Sequence, residues 1–240
     1  MALYGRLYLP DGMTGYPLVI LSHGFGETFR DTEDYAEAFA ENGAAAFAFD
    51  FIGGGNGSRS GGSTASMSVL TEAADLDAVL DYFLDYPGIR KDRVFLFGES
   101  QGGFVSSYVA GKRPGDVAGL IALYPAYVLQ SDSFRRNQDP GRGPETTEVM
   151  GVQIGRIYDL DAQSCDIYDV LAGYTGKTLI LHGTADAIVP LSCSERALKT
   201  FPDAELITIA GAGHGFIGST REYAAGLITG FVRELAGQPD

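Results

Sequence analysis

Apolar residues fall in two spacings along this chain. Short runs at Pro17 to Leu21, Ala44 to Phe51, Val94 to Phe97, Val117 to Tyr124 and Thr178 to Leu181 have the length and density of strands buried on both faces. Glu205 to Ile209 predicts one further strand, and Leu3 to Leu9 alternates up to a turn at Pro10-Asp11-Gly12. Between the runs, apolar positions recur three and four apart. Val69, Ala73, Leu76, Val79, Leu80 and Phe83 share one stripe of a helix from Val69 to Tyr86, which Pro87-Gly88 breaks. Tyr35, Ala38 and Phe39 mark a helix over Asp31 to Glu41, stopped at Asn42-Gly43. The same spacing predicts helices at Phe104 to Gly111, Ser194 to Phe201 and about Arg221 to Leu235. Strands alternating with helices imply an α/β fold, a mostly parallel central sheet with helices on both faces. One domain over residues 1–240 accommodates it. Regularity stops from Pro125 to Gly176, and so long a stretch is not a simple connection in a compact domain. Residues 125–176 are therefore expected to form an inserted cap.

The glycines carry the first chemical signal. Val94-Phe95-Leu96-Phe97 runs into Gly98-Glu99-Ser100-Gln101-Gly102-Gly103, and a helical pattern follows. A strand, a sharp turn with a central serine and a helix form the setting in which the serine is raised on a strained elbow. The run from Gly53 to Gly62 does not fit Gly-x-Gly-x-x-Gly, because Ser58 stands where the third glycine would fall. A dinucleotide site is thereby rejected.

A serine hydroxyl needs a neighbouring base before it is a nucleophile. The three histidines are His23, His182 and His214. His214 lies in the glycine-rich loop Gly211-Ala212-Gly213-His214-Gly215 after the last strand, where its ring can swing onto Ser100. Asp186, just beyond the strand that ends near Leu181, is placed to fix the tautomer of that ring. The order Ser100, Asp186, His214 is the nucleophile, acid and base order of α/β-hydrolases. An oxyanion hole needs two preorganised donors. The N–H of Gln101 is one, and the N–H of Phe25, in His23-Gly24-Phe25-Gly26, is the other.

Charge and cysteine count narrow the partners. Seventeen basic against 31 acidic residues give a formal charge of −14, a field that repels nucleic acid and anionic membrane surfaces. No apolar run approaches the length of a membrane span. Met1 to Pro10 shows no basic region followed by an apolar one, so no signal peptide is expected. Cys165 and Cys193 are too few for a disulfide framework. The histidines have no metal-ligand spacing, so no metal and no cofactor are expected. A cytoplasmic protein acting on a small molecule is the expectation, with a homodimer left open.

His23-Gly24-Phe25-Gly26, Phe49-Asp50-Phe51, the Ser100 elbow, His182-Gly183-Thr184-Ala185-Asp186 with Val189-Pro190, and Gly211-Ala212-Gly213-His214 occur together and in order. Jointly they resemble the serine esterases of the α/β-hydrolase superfamily, especially the small bacterial cinnamoyl (feruloyl) esterases, across nearly the whole core. The resemblance implies a Ser100–Asp186–His214 triad, with Phe25 and Gln101 as oxyanion donors. It also implies a cap that contacts an aromatic acid. Asp161-Ala162-Gln163 and Ile167-Tyr168-Asp169 are similar to the family's cap, which makes Tyr158 a candidate partner for a substrate ring hydroxyl. Among Tyr127, Phe134, Tyr158, Tyr168 and Tyr174, most are expected simply to pack the cap. The reading is a carboxylic-ester hydrolase for hydroxycinnamoyl esters. Its rivals are a general short-chain esterase, a lipase, thioesterase or peptidase on the same triad, and a non-catalytic binding module.

Overall fold

The structure, a computed structural model, describes residues 2–12 and 15–237; Met1, where the leader reading begins, lies outside them. Seven strands form the main sheet: β1 (Tyr4–Tyr8), β2 (Tyr16–Ser22), β3 (Ala45–Asp50), β4 (Ile89–Glu99), β5 (Gly119–Leu123), β8 (Lys177–Gly183) and β9 (Ala204–Ile209). Their spatial order is β1-β3-β2-β4-β5-β8-β9. Only β1 runs antiparallel to its neighbour; the other pairings are parallel. The remaining pair, β6 (Thr146–Val149) and β7 (Val152–Gly155), is a separate antiparallel hairpin.

Successive side chains of a strand point to opposite faces, and the core divides accordingly. On one face Leu18, Ile20, Leu96, Leu120 and Ile180 pack with Leu76 and Leu80 of α2 (Val69–Leu84) and Val105 and Val109 of α3 (Ser100–Lys112). On the other, Val19, Leu21, Phe95, Phe97, Ile121 and Leu181 pack with Tyr35 and Phe39 of α1 (Glu33–Glu41) and Ile228 and Val232 of α8 (Ser219–Ala236). This is the mostly parallel sheet with helices on both faces expected from the alternation, the arrangement of the α/β-hydrolase fold that the resemblance implied. Helix α2 starts where the sequence turns, because the Ser68 hydroxyl accepts the Thr71 N–H at 3.1 Å and so caps a free donor of the first turn.

Several boundaries differ from the pattern, two of them next to the elbow. Strand β4 reaches back through Arg90, Lys91, Asp92 and Arg93, residues too polar and exposed to register as a buried run. Helix α3 begins at Ser100 itself, four residues before the apolar spacing becomes visible.

From Pro125 to Gly176 the chain is not irregular. It forms α4 (Leu129–Arg136), the β6–β7 hairpin, α5 (Arg156–Ser164) and α6 (Ile167–Leu171). Strands of four residues and helices of five to nine are too short to show a period. Met67, Ile154 and Tyr158 form a small buried cluster with Phe25, Val149 and Val152 around it. That cluster sets the hairpin and α5 against the loop after β2. Helix α7 (Leu191–Thr200) completes the cover beside β8. Among the described residues, no helix is long and apolar enough to cross a membrane.

Candidate active site

Ser100 stands at the junction of β4 and α3 with a φ of 49°, the left-handed region that a side chain rarely occupies without structural compulsion. The compulsion is crowding. A Cβ on Gly98 would lie 2.1 Å from the carbonyl oxygen of Gly102, and one on Gly102 would lie 2.2 Å from that of Ser22. Only glycine permits this approach of β2, β4 and α3, and it turns Ser100 out of the sheet edge.

The loops after β8 and β9 deliver the partners. His214 Nε2 is 2.9 Å from Ser100 Oγ, and His214 Nδ1 is 2.8 Å from Asp186 Oδ2. With Nδ1–H donating to the carboxylate, Nε2 is free to accept the serine proton. Asp186 is held in turn. Its Oδ1 accepts the N–H groups of Ile188 and Val189, each at 2.8 Å. The His214 ring also meets the Tyr124 ring edge-on, at 4.8 Å between centroids. Thus the structure brings together Ser100, Asp186 and His214 from positions far apart in the chain.

The other histidines sit elsewhere. His23 is fully buried, with Nδ1 donating to Gly24 O at 2.8 Å and Nε2 accepting the Phe51 N–H at 3.3 Å. It ties the loop after β2 to the end of β3. His182 Nδ1 accepts from Ser194 Oγ at 2.8 Å. Its Nε2–H faces Val189 O at 3.0 Å and Asp186 Oδ2 at 3.3 Å. Burial lowers the pKa of both rings, which keeps them neutral.

Phe25 lies in a turn closed by Glu27 N–H to Gly24 O at 3.3 Å and Gly26 N–H to Gly54 O at 3.1 Å. A Cβ on Gly24 would come within 3.5 Å of Ser100 Cβ, so this turn borders the nucleophile. Gln101 is the second residue of α3, where N–H groups lack an acceptor within the helix. Gly24, the residue before Phe25, and Gln101, the residue after the nucleophile, thus border Ser100. The Gln101 side chain is buried, its Nε2 donating to Glu72 Oε2 at 2.8 Å and its Oε1 accepting from Tyr158 Oη at 2.5 Å.

Tyr158 therefore stands differently from the sequence expectation. Only 2% of it is exposed, and its hydroxyl proton is already directed to Gln101. A substrate ring hydroxyl would have to displace that bond. Three other cap tyrosines are similarly engaged: Tyr127 with Ser107, Tyr168 with Cys193 O and Tyr174 with Val117 O. They pack the cap, as most were expected to.

Several neighbours were not singled out from sequence. Glu72 could have been, since it falls among the apolar positions of α2, three residues after Val69 and four before Leu76. Burial pushes its carboxyl up to about 8. Glu99 precedes the nucleophile, accepts from the Tyr124 hydroxyl and lies 3.8 Å from Arg221. Burial pushes it up to about 7.

A family model described as "Serine aminopeptidase, S33" matches residues 16–141, more than half of the chain. The chain belongs to this family. A second model, for TAP-like protein, matches residues 164–236 of this α/β-hydrolase. Human monoglyceride lipase is 32% identical over 133 residues, covering 55% of the chain and 42% of the lipase. Feruloyl esterase B of Thermothelomyces thermophilus is 29% identical over 133 residues, covering 53% of the chain and 43% of the esterase. The matched stretch thus spans less than half the length of these curated relatives. Among solved structures, Est1E from Butyrivibrio proteoclasticus with bound ferulic acid superposes with a TM-score of 0.89 at 25% identity, covering 98% of this chain and 95% of that one. The Paleococcus ferrophilus monoacylglycerol lipase shares the fold, with a TM-score of 0.72 at 23% identity over 97% of this chain and 98% of that one.

Proposed function

We propose that this α/β-hydrolase cleaves carboxylic esters through an acyl-enzyme on Ser100. The observation that carries the reading is the unbroken hydrogen-bond chain from Ser100 Oγ through His214 to Asp186. Ser100 attacks the ester carbonyl as His214 Nε2 takes its proton, and the carbonyl oxygen becomes an oxyanion facing the Phe25 and Gln101 N–H groups. Collapse of that intermediate expels the alcohol, which receives the proton from His214. Water, deprotonated by His214, then attacks the acyl-enzyme, and the second intermediate collapses to the carboxylic acid as His214 returns the proton to Ser100 Oγ. Asp186 orients the ring and stabilises its cation.

The acyl group we assign to this site is hydroxycinnamoyl. Support comes from the overlap with a structure holding ferulic acid across almost the entire chain, cap included. A monoacylglycerol substrate is the second reading, favoured by the likeness to human monoglyceride lipase.

The deciding measurement is kcat/KM for methyl ferulate, methyl cinnamate, ethyl butyrate, a medium-chain monoacylglycerol and an aminoacyl p-nitroanilide. Methyl ferulate should lead. A lead for the monoacylglycerol transfers the assignment to lipids, and one for the anilide transfers it to peptides. Ser100→Ala should fold normally and lose several orders of magnitude in turnover, as loss of a triad member does. A fluorophosphonate that labels the variant as well as the wild type would reject Ser100 as nucleophile.

A further inference from the structure

One residue of the cap touches both residues proposed to supply the oxyanion donors. The Tyr158 ring lies edge-on against the Phe25 ring, 5.5 Å between centroids and 62° between planes. Its hydroxyl donates to Gln101 Oε1 at 2.5 Å. Gln101 is fixed from its other end by Glu72 Oε2, so the amide cannot turn without breaking two buried hydrogen bonds. Behind Phe25, Ile154 and Met67 close the same cluster with Tyr158. Val152 of the hairpin reaches the neighbouring turn, where a Cβ on Gly26 would lie 3.0 Å from Val152 Cγ2.

We infer that Tyr158 is a positioning residue: by bracing Phe25 and Gln101 together, it makes the geometry of the oxyanion hole depend on the cap. The inference rests on the acyl-enzyme reading above. Its physical basis is that preorganised donors stabilise an oxyanion only where they are already fixed before charge develops. Gln101 is anchored by the elbow on one side, but Phe25 sits in a glycine-flanked loop with positive φ at Gly26. That loop gains most from a brace. The cap is thus a part of the catalytic frame.

The test uses p-nitrophenyl acetate, whose methyl acyl group offers no ring hydroxyl to recognise. Tyr158→Phe keeps the ring contact with Phe25 and removes the bond to Gln101. It should lower kcat/KM about three- to tenfold, the worth of one neutral hydrogen bond. A trifluoromethyl ketone, which forms a hemiketal oxyanion on Ser100, should weaken by the same factor. The corresponding methyl ketone should bind unchanged. Gln101→Met, which removes the other partner and keeps the backbone N–H, should lose a similar factor. The double variant should lose no more than either single one, as expected for two ends of one interaction.

If Tyr158→Phe loses efficiency on methyl ferulate but none on p-nitrophenyl acetate, Tyr158 is a substrate contact and the inference is overturned. If the two losses simply multiply, or both ketones weaken alike, Tyr158 is packing only. A wild type that hydrolyses no ester and takes up no fluorophosphonate overturns the acyl-enzyme reading, and the inference with it. A wild type that does both beside an unchanged Tyr158→Phe overturns the inference alone.

Discussion

Asp186 Oδ2 has two imidazoles within reach, His214 at 2.8 Å and His182 at 3.3 Å. Only the first touches Ser100, so the two rings differ in what their loss removes. His214→Ala deletes the base and should cost about a thousandfold or more in kcat. His182→Ala deletes a neutral donor that also holds Val189 O, freeing the loop that presents the acid. Its cost should be about tenfold in kcat/KM, through misplacement of the triad, with fluorophosphonate capture slowed and not abolished. Equal losses for both variants would contradict this division. The choice of His214 was legible from its glycine loop after the last strand. The task of His182 was not, because its partners Val189 and Ser194 come alongside only when the chain folds back after β8. The bond from Tyr158 to Gln101 was not legible for a related reason: a tyrosine in a cap is equally compatible with a substrate and with a buried glutamine.

Helix α2 presents an apolar stripe interrupted by one acid, and that interruption has a pH signature. Burial pushes Glu72 from its ordinary value of 4.5 up to about 8. A carboxyl whose pKa is raised by folding holds its proton more tightly in the native protein than in the unfolded chain. Its contribution is fully present below about pH 4.5 and is lost as the pH rises through about 8. Glu72→Gln removes the ionisation and keeps an oxygen that can accept from Gln101 Nε2. Its melting temperature should therefore fall less between about pH 5 and about pH 8, ending roughly 2–4 °C above the wild type for each kcal/mol recovered. Parallel melting curves across that range would show that Glu72 does not titrate there. The stripe itself, Val69 through Phe83, was legible at once, as was each strand of the sheet core, since burial on two faces leaves little choice of residue. The cap elements were not. Thr146-Thr147-Glu148-Val149 pairs with Val152-Gln153-Ile154-Gly155, and four residues of mixed polarity carry too little period to read.

At the scale of the whole molecule, the carboxyl ends of the parallel strands gather a site from loops that are remote in sequence. The nucleophile follows β4, in the middle of the sheet, and the acid and base follow β8 and β9, the last two strands of one side. That arrangement has a consequence for the order in which a refolding chain becomes reactive. The described residues before Lys177 already contain the elbow, both proposed oxyanion donors and the cap, yet the base that reaches Ser100 Oγ, His214, lies after them. Pairings between distant segments form late because loop-closure entropy opposes them. After dilution from denaturant, recovery of far-ultraviolet dichroism should therefore precede capture by fluorophosphonate. The interval between the two signals should lengthen when β8–β9 pairing is weakened, as by Ile207→Ala, and simultaneous recovery would exclude the sequence of events. Covalent capture during refolding then counts only those molecules in which the final strand has docked.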